Sequence, residues 1–168
     1  MQTGEGCMNY EYLKSLLSYD PETGDMKWKV NRSRVKKGDS VGSIDRYGYR
    51  TTMIDKKNYK VHRLIWLLTY GYMPALEIDH INGVKDDNRI ANLRLASKDE
   101  NARNRPMTNR SSTGLKGVFR KKKTNKFTSS IYVSGKSIYL GTFNTPEEAY
   151  SAYCEAAKNH HGTFANIN

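Results

Sequence analysis

Between Arg105 and Thr113 the chain reads Arg-Pro-Met-Thr-Asn-Arg-Ser-Ser-Thr, a polar tract with a proline near its start. Such a tract reads as a linker. It divides the 168 residues into two pieces, each of which must close its own small core. The expected organisation is a disordered N-terminus over 1–8, a first domain over 9–104, a basic linker over 105–113 and a second domain over 114–168.

Hydrophobic and turn patterns give an α+β class. In the first piece, Tyr10 to Leu17 suggests a short helix, and Pro21-Glu22-Thr23-Gly24 a turn before a strand at Met26 to Val30. Val41 to Ile44 and Tyr49 to Ile54 read as strands around Tyr47-Gly48. His62 to Tyr70 reads as a buried helix ended by Gly71 and stopped by Pro74. Glu77 to Asp79 and Asn92 to Leu95 read as strands, and Ser97 to about Asn104 as a helix with Glu100 closing a capping box. The second piece is plainer. Val118 to Lys121, Phe127 to Val133 and Ser137 to Leu140 predict three strands. Thr145-Pro146-Glu147-Glu148 predicts a helix start, with a cap, a proline in the first turn and acids on the positive end of the dipole. Ala149, Tyr150, Ala152, Tyr153, Ala156 and Ala157 give that helix a face suited to lying on the sheet.

Charge narrows the partner. The chain has 28 Lys and Arg against 17 Asp and Glu, a net charge of +11 and a pI near 9.6. From Asn101 to Pro146 there is no acid at all, while ten cations fall there, including Arg103, Arg105, Arg110, Lys116, Arg120, Lys121 and Lys126. A stretch of one sign attracts phosphates and releases counterions on binding. Nucleic acid is therefore favoured over an anionic membrane. Twelve Tyr, four Phe and two Trp supply apolar area and argue against a disordered basic chain. The longest apolar run, Leu64 to Leu68, is too short to span a bilayer. Cys7 and Cys154 form no CxxC pair and are expected to be reduced thiols in a cytoplasmic protein.

The chemistry concentrates in Glu77-Ile78-Asp79-His80-Ile81-Asn82-Gly83, followed by Asp86-Asp87-Asn88-Arg89-Ile90-Ala91-Asn92-Leu93-Arg94 and then Asp99-Glu100-Asn101. A strand end delivers Asp79 and His80, a return strand follows Asn92, and a helix carries Asn101. Phosphodiester hydrolysis needs an activated water and a cation to stabilise the developing charge. Asp79 offers a carboxylate oxygen and Asn101 an amide oxygen, hard ligands that suit Mg²⁺. His80, with an ordinary pKa of about 6.5, suits a general base.

The whole string resembles the HNH endonuclease family, in particular its phage homing branch. Tyr19-Asp20-Pro21-Glu22-Thr23-Gly24, Trp28, Gly48-Tyr49 and Val61-His62-Arg63-Leu64 resemble the same branch, so the likeness runs over roughly 9–105. The resemblance implies a ββα-metal module, with Asp79 as metal ligand, His80 as general base, Asn92 tying the loop ends together and Asn101 as second ligand. It implies Mg²⁺ or Mn²⁺ and products with 3′-hydroxyl and 5′-phosphate ends. Asn88 is expected to shape the loop, and His62 to pack or to face the DNA backbone. Arg63, Arg89, Arg94 and Arg103 are expected at phosphates, and His160-His161 at a helix end.

Ser112-Thr113-Gly114-Leu115-Lys116-Gly117-Val118, Tyr139-Leu140-Gly141-Thr142-Phe143, Thr145 to Ala149 and Phe164-Ala165-Asn166 appear in order. They resemble the APETALA-type domain of plant ethylene-response factors, which implies a three-stranded antiparallel sheet that enters the DNA major groove with a helix packed behind it. Matching contact positions are Lys116, Arg120, Lys121, Lys126, Tyr132, Ser137 and Tyr139, whereas Phe119 stands where that family has a contacting Arg and Tyr139 where it has Trp. The combined expectation is a site-directed, monomeric double-stranded DNA endonuclease acting inside a phage-infected or bacterial cell, nicking or cutting both strands. The rivals are a non-catalytic DNA-binding regulator, against which the Asp79, His80 and Asn101 set counts, and an RNA-binding protein, for which no RNP-like motif speaks.

Overall fold

The computed structural model describes residues 8–32, 34–104, 113–165 and 167. Cys7, Arg105, Arg110 and nearly all of the linker tract lie outside the described residues. The described residues form two compact units, one ending at Ser97 and one beginning at Lys98.

In the first unit, helix α1 (Tyr10–Leu16) opens on Asn9, whose side chain accepts from the Tyr12 amide. It runs into a short antiparallel hairpin, β1 (Leu17–Tyr19) and β2 (Met26–Trp28), with Leu17 opposite Trp28. Strands β3 (Ser43–Ile44), β4 (Arg50–Ile54) and β5 (Lys57–Lys60) form a second antiparallel sheet in sequence order. Helix α2 (Val61–Tyr70) then crosses the unit, burying Val61, Leu64, Ile65, Trp66 and Leu67. A helix apolar on most sides must sit in the core. Leu13, Leu17, Met26, Trp28, Val41 and Ile54 complete that core around it. The last pair, β6 (Glu77–His80) and β7 (Leu93–Ala96), is antiparallel and brackets a long polar loop.

Two elements escaped the sequence reading, and their composition says why. β5 is Lys-Asn-Tyr-Lys, with no apolar alternation, and owes its strand state to pairing with β4 across Asp55-Lys56, both with positive φ. That backbone matches the twist of a two-residue hairpin. β1 is three residues long and continuous with α1, so periodicity cannot separate the two. Val41 is fully buried but lies outside the strand expected from it, which begins at Ser43.

The second unit holds α3 (Lys98–Arg103), then β8 (Val118–Arg120), β9 (Phe127–Val133) and β10 (Lys136–Phe143), a sheet with β9 in the middle. Ser134-Gly135 joins β9 to β10 as a two-residue turn with positive φ at both positions. β10 runs three residues beyond its predicted end because a bulge between Tyr139 and Gly141 shifts the register and pairing resumes to Phe143. Helix α4 (Pro146–His161) starts with a complete capping box between Thr145 and Glu148. Its buried stripe is Ala149, Tyr153, Ala157 and His161, spaced by four, and Tyr153 and Ala157 pack with Ile131 of β9. The small residues let the helix lie close against the sheet. The architecture is α+β throughout, with the β-rich helical unit first and the three-stranded sheet with its helix after it.

Candidate active site

Asp79 and His80 end β6, and both are buried, each 4% exposed. Two consecutive strand residues ordinarily point to opposite faces. His80 is covered by His62 of α2 and Asn88 of the 81–92 loop, and Asp79 lies against Arg94 of β7.

Asp79 stands opposite Arg94 in the β6–β7 register. Arg94 donates to its Oδ2 through Nε at 2.8 Å and lies 2.7 Å away through Nη2. Such a partner offsets the cost of burying the carboxylate. The Arg94 guanidinium is thus held against Asp79 across the β6–β7 pair. Arg63 is committed as well, donating to the carbonyls of Pro74 and Leu76 and so fixing the chain after α2.

His80 sits in a polar and aromatic pocket. Its Nε2 lies 3.2 Å from Asn88 Oδ1, and its ring meets His62 edge-on at 5.1 Å and Tyr49 at 5.9 Å. Burial pushes the His80 pKa down, and the Asn88 hydrogen bond with the Asp79, Asp87 and Asp86 charges pulls the other way. The ring is therefore neutral at physiological pH, as a proton acceptor must be. His62 is driven to about 3, first by burial and then by the His80, Arg63 and Lys60 charges. Tyr49 carries the ammonium of Lys60 at 4.6 Å and that of Lys85 at 4.9 Å from its ring centre.

The 81–92 loop is tied across by Asn92. Its Oδ1 accepts from the Asn82 amide at 3.0 Å, and its Nδ2 donates to the Asp87 carbonyl at 2.8 Å. Arg50 grips Asp86 with two hydrogen bonds, at 2.9 and 3.0 Å. Asn88, given to loop shape by the sequence, is 2% exposed and touches His80 directly. No periodic signal marks it, since a lone amide in a polar loop looks like any turn residue.

Asn101 lies on α3, within the second unit. Also there, Lys116 is half-buried and donates to the Arg103 carbonyl at 3.0 Å, and burial lowers its pKa. On the sheet, Phe119, Thr128, Ser130, Tyr132, Ser137, Tyr139 and Thr142 share the face away from α4 by register. Phe119, Tyr132 and Tyr139 are each more than half exposed on it. Tyr139 and Thr142 hold each other by a 2.6 Å hydroxyl contact. Arg120 and exposed Lys121 and Lys126 cluster at the β8–β9 turn, where Arg120 donates to Asn125. His161 closes α4 and is buried.

Could this set hold a metal ion? Among the described residues no three His, Cys, Asp or Glu side chains gather as a closed site. One buried carboxylate beside a neutral imidazole fits a hard ion that keeps most of its waters, such as Mg²⁺, and not a closed zinc cage.

The fold and site define a chain of two recognisable modules. Residues 59–103 match the family model described as HNH endonuclease, and residues 113–163 match the AP2 domain model. Among individual proteins, an uncharacterized HNH endonuclease of Acanthamoeba polyphaga mimivirus is 32% identical over 116 residues, which is 68% of this chain and 59% of that protein. The solved structure titled "DNA binding and cleavage by the HNH homing endonuclease I-HmuI" is 25% identical, with a TM-score of 0.42, over 58% of this chain and 55% of that one. The chain thus spans less than two thirds of either relative's length. Among the described residues no helix is long and apolar enough to cross a membrane.

Proposed function

We propose that the protein is a divalent-metal-dependent endonuclease that hydrolyses a phosphodiester of double-stranded DNA, of the homing type. One observation carries this reading: Asp79 and His80 sit side by side at a buried strand end, inside the segment that matches the HNH endonuclease model. In this reading the nuclease module runs from 9 to 104, because the family match continues through Arg103. The 105–113 tract links it to a DNA-binding module over 114–168.

Asp79 would hold the metal, and Asn101 would join it, an assignment supported by sequence pattern alone. Mg²⁺ or Mn²⁺ bound there supplies charge stabilisation for the phosphorane-like transition state and the leaving oxygen. His80 accepts the proton of the attacking water. The new P–O bond forms as the bond to the 3′ oxygen breaks, and that oxygen gains a proton from solvent. This places the phosphate on the 5′ end. Asn92 holds the loop that carries Asn88 in place and takes no part in the chemistry. The outer sheet face with Tyr132 and Tyr139 would meet base edges, while Arg120, Lys121 and Lys126, with Arg103, Arg105, Arg110 and Lys116, would meet phosphates. Arg63 and Arg94 would add phosphate contacts from the nuclease module, beside the bonds that hold them to the fold.

The test is cleavage of supercoiled plasmid and of phage-sized DNA with Mg²⁺, with EDTA and with His80→Ala. Metal-dependent cutting to 3′-hydroxyl ends, lost in the variant while binding persists, is expected. Tight salt-sensitive binding with no cutting of any substrate would favour the regulator instead.

A further inference from the structure

The stretch Tyr19 to Gly24 stands out in the sequence yet lies outside the segment matched to the nuclease family. In the structure it is the turn of the β1–β2 hairpin. Asp20 organises it: its Oδ1 accepts from the Glu22 amide at 2.9 Å, and its carbonyl accepts from Gly24 at 2.9 Å. The turn is laid directly on Asn88. Tyr19 Oη donates to the Asn88 carbonyl at 2.9 Å, across 69 residues of sequence. Burial pushes the Tyr19 phenol up to about 12, so it stays a donor at all working pH.

Gly24 makes the approach possible. A Cβ there would stand 2.7 Å from the Arg89 nitrogen and 2.9 Å from the Asn88 carbonyl carbon, and its φ is +80°. Backbone lies against backbone, so neither can yield by changing a rotamer.

The side chain of Asn88 is oriented by its own second bond. Nδ2 donates to the Asp86 carbonyl at 3.2 Å, which turns Oδ1 toward His80 Nε2 at 3.2 Å. An amide oxygen only accepts. Nε2 must therefore carry the ring proton, and Nδ1 is the basic nitrogen.

We propose that Asn88 is a positioning residue that fixes His80 in its Nε2–H tautomer, and that the Tyr19–Gly24 turn acts on the active site through Asn88. The effect on cleavage rests on the nuclease reading above; the tautomer does not. Removing the acceptor would let the proton move to Nδ1 and leave the base pointing the wrong way. Partners of this kind on metal-ligating imidazoles are worth on the order of 10- to 100-fold, and a similar scale is taken for the His80 ring.

The test uses the full chain, ¹⁵N-labelled and without DNA, at a pH where the ring is neutral. Long-range ¹H–¹⁵N spectra separate protonated from unprotonated ring nitrogens, and His80→Gln assigns the signal. The wild type is expected to show Nε2 protonated. Asn88→Leu is expected to mix the tautomers, Tyr19→Phe to do so in part, and Asn88→Asp, which keeps an acceptor, to retain the native one. In cleavage, Asn88→Leu is expected to lower kcat about tenfold or more with KM for DNA nearly unchanged, and Asn88→Asp to recover most of the loss. A wild-type His80 protonated on Nδ1, or a tautomer unmoved by Asn88→Leu, would overturn the proposal. Should Asn88→Leu fail to fold, the wild-type and Tyr19→Phe spectra decide. Should no DNA be cut at all, the nuclease reading falls and the spectra still judge the tautomer.

Discussion

Lowering the pH from about 7 to about 5 is expected to weaken the first unit by about 2 kcal/mol more in the wild type than in a His62→Phe variant. His62 is 6% exposed, and its Nδ1 has no hydrogen-bond partner among the described residues. Its ring stands edge-on to Tyr49 at 5.5 Å and to His80 at 5.1 Å, and His80, Arg63 and Lys60 all oppose a positive charge on it. Its pKa falls from 6.5 to about 3 in the fold. The unfolded chain therefore binds the proton more readily between those values, and stability drops as pH drops through that window. At about pH 5 the chain is roughly 1.5 units below the unfolded pKa, and each unit is worth about 1.36 kcal/mol. Asp45 and Asp87, both held at about 2, titrate alike in the two proteins and cancel in the difference. Urea unfolding followed by tryptophan fluorescence is the assay, because Trp28 and Trp66 are the only tryptophans and both lie in the first unit. At neutral pH the variant should lose no more than about 1.5 kcal/mol, as an aromatic ring replaces an aromatic ring of similar breadth. An equal acid-induced loss in both proteins would refute the reasoning and move the proton to another group.

Two further substitutions probe stability. Gly117→Ala places a Cβ 2.1 Å from Tyr153 Cδ2, at a φ of +74°, and should destabilise the second unit by about 3 kcal/mol or more, read by hydrogen exchange of β9 amides. Arg94→Met removes the buried partner of Asp79 and should cost the first unit about 3 kcal/mol in urea unfolding, with Asp79→Asn in the same chain recovering part of it.

Much of this architecture is legible in the sequence, and the exceptions share a cause. The α4 start at Thr145-Pro146 and β9 over Phe127–Val133 follow from local chemistry that a short window contains. Asp79 and His80 stand out in the sequence as an acid and an imidazole in tandem, and the structure buries both at the end of β6. Asn88, Tyr19 and Gly24 are invisible as a group because what unites them is a contact spanning 69 residues, and nothing in the loop around Asn88 advertises it. The contact of Arg94 with Asp79 is likewise hidden, because a lone Arg in a sequence shows its charge and not its neighbour. Only the β6–β7 register reveals that it faces Asp79.

Each unit closes its own apolar cluster: the first draws on residues from Met8 to Leu95, the second on Ile131, Tyr153, Ala157 and their neighbours up to Ile167. No core residue is shared among those described. Drift within one core therefore imposes no compensating change on the other, and a gene segment coding either unit can recombine with a different partner without repacking an interior. On this view the pairing of the two modules is maintained by selection on the joint product, while the physics of folding leaves either half exchangeable.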